Sequence, residues 1–393
     1  MDDYFKTELS KLKNADSLRG LTSDCGGVDF YSNDYLGLAK SKELFKRSNQ
    51  ILEELAFNNT RENSIKNING STGSRLLSGQ NTFVESLEKK ISEFHKSEDC
   101  LIMNSGYNAN LSVFSSIATR HDTILYDEFI HASIRDGIRL SNARNYSFKH
   151  NNIHDLKKRI KQASGKIFIA VESLYSMDGD LADLIQLVEI SRKHGAHLIV
   201  DEAHAVGVYG ETGKGLVFEN NLTDKVLCRI VTFGKALGVH GACVLGSESL
   251  KQYLINKARS FIYTTSITPH TLCAISAAYD ELPNADDRRL KLYSNITYFS
   301  DQSHRILGKG LTNPNAETKQ NIDTTQIQSL IIPGNDKVKN LARKLIENGF
   351  EVRPIVSPTV AKESERIRIT LHSFNTADQI KQLINSIQQI SNE

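Results

Sequence analysis

Residues 232–242 read TFGKALGVHGA and set a lysine among glycines, directly behind the apolar pair Ile230 and Val231. A lysine there is either a solvated turn residue or a chemical group. Lysines are seldom buried, so Lys235 becomes a chemical candidate only if its surroundings are dry. Dry surroundings penalise the ammonium form and lower its pKa from about 10.4, at about 1.4 kcal/mol for each unit. A neutral amine results, and a neutral amine adds to carbonyl carbon to form a Schiff base.

The elements that would position such an amine are legible as short apolar runs bounded by turn residues: CLIM (100–103), TILY (123–126), IFIAV (167–171), HLIV (197–200) and RIVTF (229–233). Each has strand length and is apolar on both faces, as strands covered by helices on two sides must be. Amphipathic stretches such as FVESLEKKISEFHK and LIQLVEISRKHG lie between them, the second with Gly195 as its expected C-cap. Alternating strand and helix predicts an α/β fold with a mostly parallel central sheet. From about residue 264 the pattern changes, and IQSLIIPG with the amphipathic run 376–390 predicts a smaller C-terminal α+β domain. The expected division is an N-terminal segment 1–40, a large domain 41–265 and a small domain 266–393. The polar segments 58–70 and 312–321 read as loops, and no internal repeat is found.

Ligands of open parallel sheets bind beyond the carboxyl ends of the strands. The residues that follow the five runs include Ser105, Gly106, Tyr107, His131, Ser176, Asp201, His204, Thr232 and Lys235. Pyridoxal phosphate is an aldehyde whose needs this set matches. Asp201 offers a carboxylate for a protonated ring nitrogen, and NSGYNAN opens a helix whose first N–H groups favour a phosphate. Thr232 adds a hydroxyl, His131 can stack on the ring, and His204 and Ser176 can bond its phenolic oxygen. Singly, His131 also fits a helix-start histidine with a local bond and His204 a satisfied interior one; the functional reading rests on the constellation. The glycines of GSTGSRLLSG either turn the chain or admit a close approach of backbone to cofactor or partner.

Other classes are disfavoured by composition. A formal net charge of +2, with no block of like charges, does not resemble a nucleic-acid binder. Five cysteines without a C-x-x-C pair argue against a disulfide framework and a zinc site, so no metal is expected and a reducing cytoplasm fits. The polar start MDDYFKTELSKLK lacks the character of a secretory signal, and no apolar run reaches membrane-span length. The string DEAH invites a nucleotide-driven helicase. That reading needs G-x-x-x-x-G-K-[ST], and the fragment GETGKG has Val208 at the first glycine position and Gly215 at the last.

Taken together, NDYLGL (33–38), GSTGSRLLSG (70–79), SGYNAN (105–110), DEFIHASIRDGIRLS, ESLYSMDGD, DEAHAVGVYGETGKG and TFGKALGVHGA resemble the α-oxoamine synthases, fold-type I pyridoxal-phosphate enzymes that condense an amino acid with an acyl thioester. The resemblance implies Lys235 as the cofactor's attachment point and as the base for the amino acid's α-proton, Asp201 at the pyridine nitrogen, His204 at the phenolic oxygen and His131 over the ring. Ser176, Thr232 and the backbone of Gly106 and Tyr107 complete the cofactor set. It further implies Asn33 and Arg368 as holders of the substrate carboxylate and Thr359 and Arg19 as substrate contacts. Family members are homodimers, so Thr264 and Thr265 are expected at a neighbouring subunit's phosphate. L-alanine and a pimeloyl thioester, on coenzyme A or acyl carrier protein, are the expected substrates; glycine C-acetyltransferase and serine palmitoyltransferase-like activities are the rivals within the family. At Ala361 and Lys362 the chain departs from the family's usual proline-containing loop.

Overall fold

Strands form where both faces can be buried. The computed structural model describes residues 1–21, 26–57, 65, 67–307 and 325–391. Within these, the five apolar runs become β1 (Asp99–Met103), β2 (Thr123–Asp127), β4 (Ile167–Glu172), β5 (His197–Asp201) and β6 (Cys228–Thr232), joined by β3 (Arg144–Phe148) and β7 (Ala242–Gly246). Their order across the sheet is β1-β7-β6-β5-β4-β2-β3. All neighbours are parallel except β7, which is antiparallel to both β1 and β6. The turn carrying Lys235 is too short for a crossover helix, so β6 and β7 must form a hairpin.

Packing explains which strands the apolar pattern reveals. Ile169, Ala170 and Val171 of β4 and Leu198, Ile199 and Val200 of β5 are buried, each large aliphatic side chain contributing about 1.5–3 kcal/mol. Strand β3 lies at the sheet edge with Arg144 and Asn145 exposed, and polar edge residues resist pairing with another chain. Helices between the strands are capped by short polar side chains: Asn81 for Thr82–His95, Ser105 for Gly106–Ser116, Asp183 for Leu184–Lys193. Gly195 follows the last of these with φ +61°, the left-handed ending expected of it.

Two units make up the chain, one of residues 36–175 and 181–287, the other of residues 1–35, 176–180 and 288–393. The larger holds the seven-stranded sheet. Its limits fall at 35/36 and 287/288, where the sequence suggested 40/41 and 265/266, because helix Pro269–Glu281 packs against helix Lys42–Phe57 inside this unit. The smaller unit contains a three-stranded antiparallel sheet, β8 (Ile327–Ile331), β9 (Arg353–Ile355) and β10 (Arg366–Thr370), in the order β9-β10-β8. Helices Asn335–Glu347 and Ala377–Ser391 bury one apolar face each in this unit. The N-terminal helix Asp2–Asn14 buries no residue. The loops expected over 58–70 and 312–321 lie largely outside the described residues, as does Cys25. Among the described residues, no helix is long and apolar enough to cross a membrane and no acid, histidine and cysteine cluster is arranged for a metal ion; Cys100, Cys228, Cys243 and Cys273 are buried thiols.

Candidate cofactor and substrate site

Strands β1, β2, β4, β5 and β6 run in one direction, so their carboxyl ends share one edge of the sheet, and the candidate residues of the larger unit lie there. The Lys235 amine, half-buried, sits 2.7 Å from Nε2 of His204. At that distance the two nitrogens share one hydrogen, so they cannot both be donors. Asp201 ends β5 and is only 5% exposed. One of its carboxylate oxygens accepts from the backbone N–H of Ala203 at 2.9 Å and the other from the amide of Asn110 at 2.8 Å. The same Asn110 amide donates to the hydroxyl of Ser133 at 3.0 Å, which lies 2.7 Å from Nδ1 of His131. His131 caps helix Ala132–Leu140, its Nδ1 accepting from the backbone N–H of Ser133 at 3.2 Å. That bond leaves a neutral ring's proton on Nε2. Desolvation by its surroundings lowers the His131 pKa, against the attraction of Asp201. Its ring retains an exposed face, edge-on to Tyr107 with centroids 6.5 Å apart.

The phosphate candidates come from β1 and β6. Ser105 caps the helix starting at Gly106 by accepting from the N–H of Asn108 at 3.2 Å. The first N–H groups of a helix have no partner within it and carry its positive dipole end. A Cβ placed on Gly106 would lie 3.4 Å from the Thr232 hydroxyl, which shows that the two positions are neighbours. Thr265 touches the same region through its carbonyl, which accepts from Asn104 at 2.8 Å; Thr264 is half-buried beside it.

Three residues that the strand-end reading passed over take part. Asn110 and Ser133 link Asp201 to His131, and each could have been found by spacing, one helical turn after Gly106 and two residues after His131. The third is Glu172, the last residue of β4 and the register partner of Asp201. It is 2% exposed, and burial, then the charge of Asp201, raises its pKa well above the usual carboxylate range. Asp201, by contrast, has an N–H donor on each carboxylate oxygen. A group protonated more readily in the folded state adds stability that is full below its unfolded pKa near 4.5 and is lost as pH rises through the folded value. Glu172→Gln removes that loss. The melting temperature of the apoprotein variant is expected to gain on the parent progressively as pH rises above 4.5; a difference that stays flat or shrinks with pH would show Glu172 to be ionised.

In the smaller unit a second set gathers. Arg368 of β10 is 8% exposed, donating from Nε to the carbonyl of Ser176 at 2.7 Å and from Nη2 to the side-chain oxygen of Asn33 at 2.9 Å. Tyr35 donates to the same Asn33 oxygen at 3.2 Å, and burial pushes its hydroxyl up to about 12. Ser176 therefore groups with the carboxylate-binding candidates Asn33 and Arg368, although the sequence aligned it with the ring-binding ones. Arg19 donates to the hydroxyl of Thr359 at 2.9 Å, so these two exposed candidates meet each other. The candidates of the smaller unit thus form two groups, Arg368 with Asn33 and Ser176, and Arg19 with Thr359.

The donors of the larger unit fit pyridoxal phosphate. A carboxylate, an amine paired with an imidazole, an exposed imidazole face and a helix N-terminus beside a threonine correspond to ring nitrogen, aldehyde, ring face and phosphate. Two buried oxygens, Oδ1 of Asn110 and Oε1 of Glu172, have no hydrogen-bond partner among the described residues. A buried acceptor without a donor calls for a bound polar group or a water to complete its bonding.

Comparison with known proteins agrees. Residues 27–387 match the sequence profile of the aminotransferase class I and II family. The 8-amino-7-oxononanoate synthase of Lysinibacillus sphaericus is 33% identical over 410 residues, covering 100% of this chain and 99% of that protein. The chain belongs to this family, in its α-oxoamine synthase branch. A solved 8-amino-7-oxononanoate synthase from Francisella tularensis is 30% identical with a TM-score of 0.76, over 94% of this chain and 99% of that one. The serine palmitoyltransferase of Sphingomonas wittichii is 25% identical with a TM-score of 0.86, over 100% and 97%. The fold is that of the fold-type I transferases, and the chain is an enzyme whose cofactor is pyridoxal 5′-phosphate. The helicase reading of DEAH falls with this assignment.

Proposed function

We propose that the chain is an 8-amino-7-oxononanoate synthase, which joins L-alanine to a pimeloyl thioester with loss of carbon dioxide in biotin biosynthesis. The observation that carries the reading is the 2.7 Å contact between the Lys235 amine and His204 at the strand end next to Asp201; the name borne by full-length relatives supplies the substrates. When bound, pyridoxal phosphate supplies an aldehyde for covalent capture of amines and a ring that withdraws electrons from the carbon being deprotonated.

The chain's own residues have the following parts. Lys235 holds the cofactor and, once displaced by the amino acid, takes its α-proton, for which a pKa near the working pH is best. Asp201 faces the ring nitrogen, steadied by Asn110 and the N–H of Ala203. His204 holds the phenolic oxygen and His131 covers the ring, while Ser176 joins Arg368 through its backbone carbonyl. Gly106, Tyr107 and Thr232 bind the phosphate, with Thr264 and Thr265 reaching a second copy in a cytoplasmic homodimer. The Arg368 fork suits a carboxylate, Asn33 orients it, and Arg19 and Thr359 contact the acyl substrate, whose carrier is coenzyme A or acyl carrier protein.

One observation favours a second reading, an activity like serine palmitoyltransferase: the TM-score to that enzyme is 0.86 against 0.76. The substrates separate the two. L-alanine is expected to alter the visible absorption of the holoenzyme at about tenfold lower concentration than glycine or L-serine, since one methyl group in an apolar pocket is worth about 1–3 kcal/mol. With L-alanine bound, pimeloyl thioesters are then expected to drive loss of the amino acid's carboxyl group as carbon dioxide faster than acetyl or palmitoyl ones. Serine acting first, with palmitoyl preferred, would give the function to the sibling.

A further inference from the structure

The second half of DEAHAVGVYGETGKG has no part in the chemistry above, yet it closes around a deeply buried ion pair of the larger unit. Glu202 follows Asp201 and is 0% exposed; Arg229, on β6, is 1% exposed. Arg229 Nε donates to Oε2 of Glu202 at 2.5 Å, Nη1 to the carbonyl of His95 at 3.3 Å, and Nη2 to the carbonyl of Lys214. The other oxygen of Glu202 accepts from the N–H of Val217 at 2.9 Å. A buried ion pair as such adds little, since well-packed apolar residues often hold two strands equally well. What an apolar pair cannot do is donate to two backbone carbonyls and accept from a backbone N–H. This pair therefore specifies where a loop sits.

The loop leads back to the lysine. Gly215 lies against the pair so closely that a Cβ there would be 2.8 Å from the Glu202 carboxylate, and its φ is +102°. Its N–H donates to the carbonyl of Tyr209 at 2.8 Å, and Gly207 donates to the carbonyl of Gly213 at 2.8 Å, which ties the two ends of the loop together. At Gly207, with φ +90°, a Cβ would stand 2.4 Å from the Cβ of Ala236, the residue next to Lys235. On the other side, the carbonyl of Glu202 accepts from the N–H groups of Ala205 and Val206 at 2.9 and 3.1 Å, forming the turn that presents His204.

We propose that Arg229 and Glu202 are positioning residues for the reaction: their buried pair fixes the 207–215 loop and the 202–206 turn, and through them the contact between the amine of Lys235 and the imidazole of His204. The inference rests on the reading of Lys235 as the cofactor's attachment point. Lysine cannot replace Arg229 in this role, because an ammonium on a flexible stem does not reproduce a fork spanning one carboxylate and two carbonyls. Glutamine cannot fully replace Glu202, because its amide cannot give the guanidinium a charged acceptor.

The test uses the holoenzyme and begins with the parent, in which borohydride followed by peptide mass mapping must locate the cofactor on Lys235. Label on another lysine sinks the functional reading, whatever the variants do. With that established, Arg229→Lys and Glu202→Gln are compared with the parent for cooperative melting, for the pH midpoint of the visible cofactor band, and for kcat and KM. Both variants are expected to melt cooperatively. The midpoint should move by about 0.5 unit or more as the histidine leaves the amine, and kcat should fall about tenfold or more, since small misplacements of reacting groups are costly. KM for the amino acid should change less than about threefold, because uniform binding is untouched. Folded variants whose midpoint and kcat match the parent would overturn the inference while leaving Lys235 in place. If Arg229→Lys does not melt cooperatively, Glu202→Gln alone decides; failure of both would also overturn it, since the pair would then hold the fold and not the contact.

Discussion

Lys235→Ala is expected to abolish turnover, by about 10³-fold or more, while the protein still folds. Both halves follow from the position of the residue. The side chain lies at the end of β6, half-buried, with its amine on His204, so truncation opens no large apolar cavity. Mutations outside the buried core usually cost little stability. The chemistry has no such reserve, because one amine is asked both to hold the cofactor and to move a proton, and general base catalysis alone contributes about 10²–10⁴-fold. Steady-state kinetics, thermal melting and mass mapping after borohydride check the three parts. A variant that still turns over at the parent's rate, or a parent whose cofactor is fixed elsewhere, would remove Lys235 from its proposed role. Added primary amines give a further check, since a small amine that restores part of the rate shows that the missing function is the proton transfer.

How much of this could be read in the sequence depends on which physical signal each part leaves. Strands β1, β2, β4, β5 and β6 were legible because burial on both faces leaves an unbroken apolar run. β3 was not, because an edge strand written RNYSF carries the polar residues that an edge needs. β7 was hidden for another reason: ACVLG follows the lysine turn so closely that one apolar region serves two antiparallel strands. The polar residues after each strand were legible as a rim, since only a site requires a carboxylate, an amine and two imidazoles at successive strand ends. What stayed hidden depends on packing between distant segments. Nothing local ties Ser176 to Arg368, 192 residues away, or sets Arg19 on Thr359. Glu172 follows the apolar run IFIAV, and its perturbed acid appears only when β5 brings Asp201 alongside. The unit boundary at 287/288 was missed because helix Pro269–Glu281 belongs with helix Lys42–Phe57 by packing, although it follows the break in pattern near residue 264.

Asp201→Asn tests the other end of the same site, and its expected result depends on the neighbour that the sequence did not reveal. A neutral amide cannot balance a protonated ring nitrogen, and removing one electrostatic stabiliser aimed at developing charge typically costs about 10²–10³-fold in kcat. The local bonding adds to the cost. Asp201 accepts from Ala203 at 2.9 Å and from the amide of Asn110 at 2.8 Å; an asparagine can accept through one oxygen only, so one of these donors would face a second N–H group. Glu172 works in the opposite direction. The charge of Asp201 is one reason its pKa is raised, and a neutral residue at 201 lets Glu172 ionise more readily. The single variant is therefore expected to recover part of its loss as pH rises, as Glu172 takes up the missing negative charge. Adding Glu172→Gln should leave the loss and abolish that recovery. The kcat profile against pH for the parent, Asp201→Asn and the double variant checks this. A single variant whose deficit is independent of pH, or a double variant that recovers as the single one does, would mean that the two carboxyl groups are electrostatically separate despite their pairing across β4 and β5.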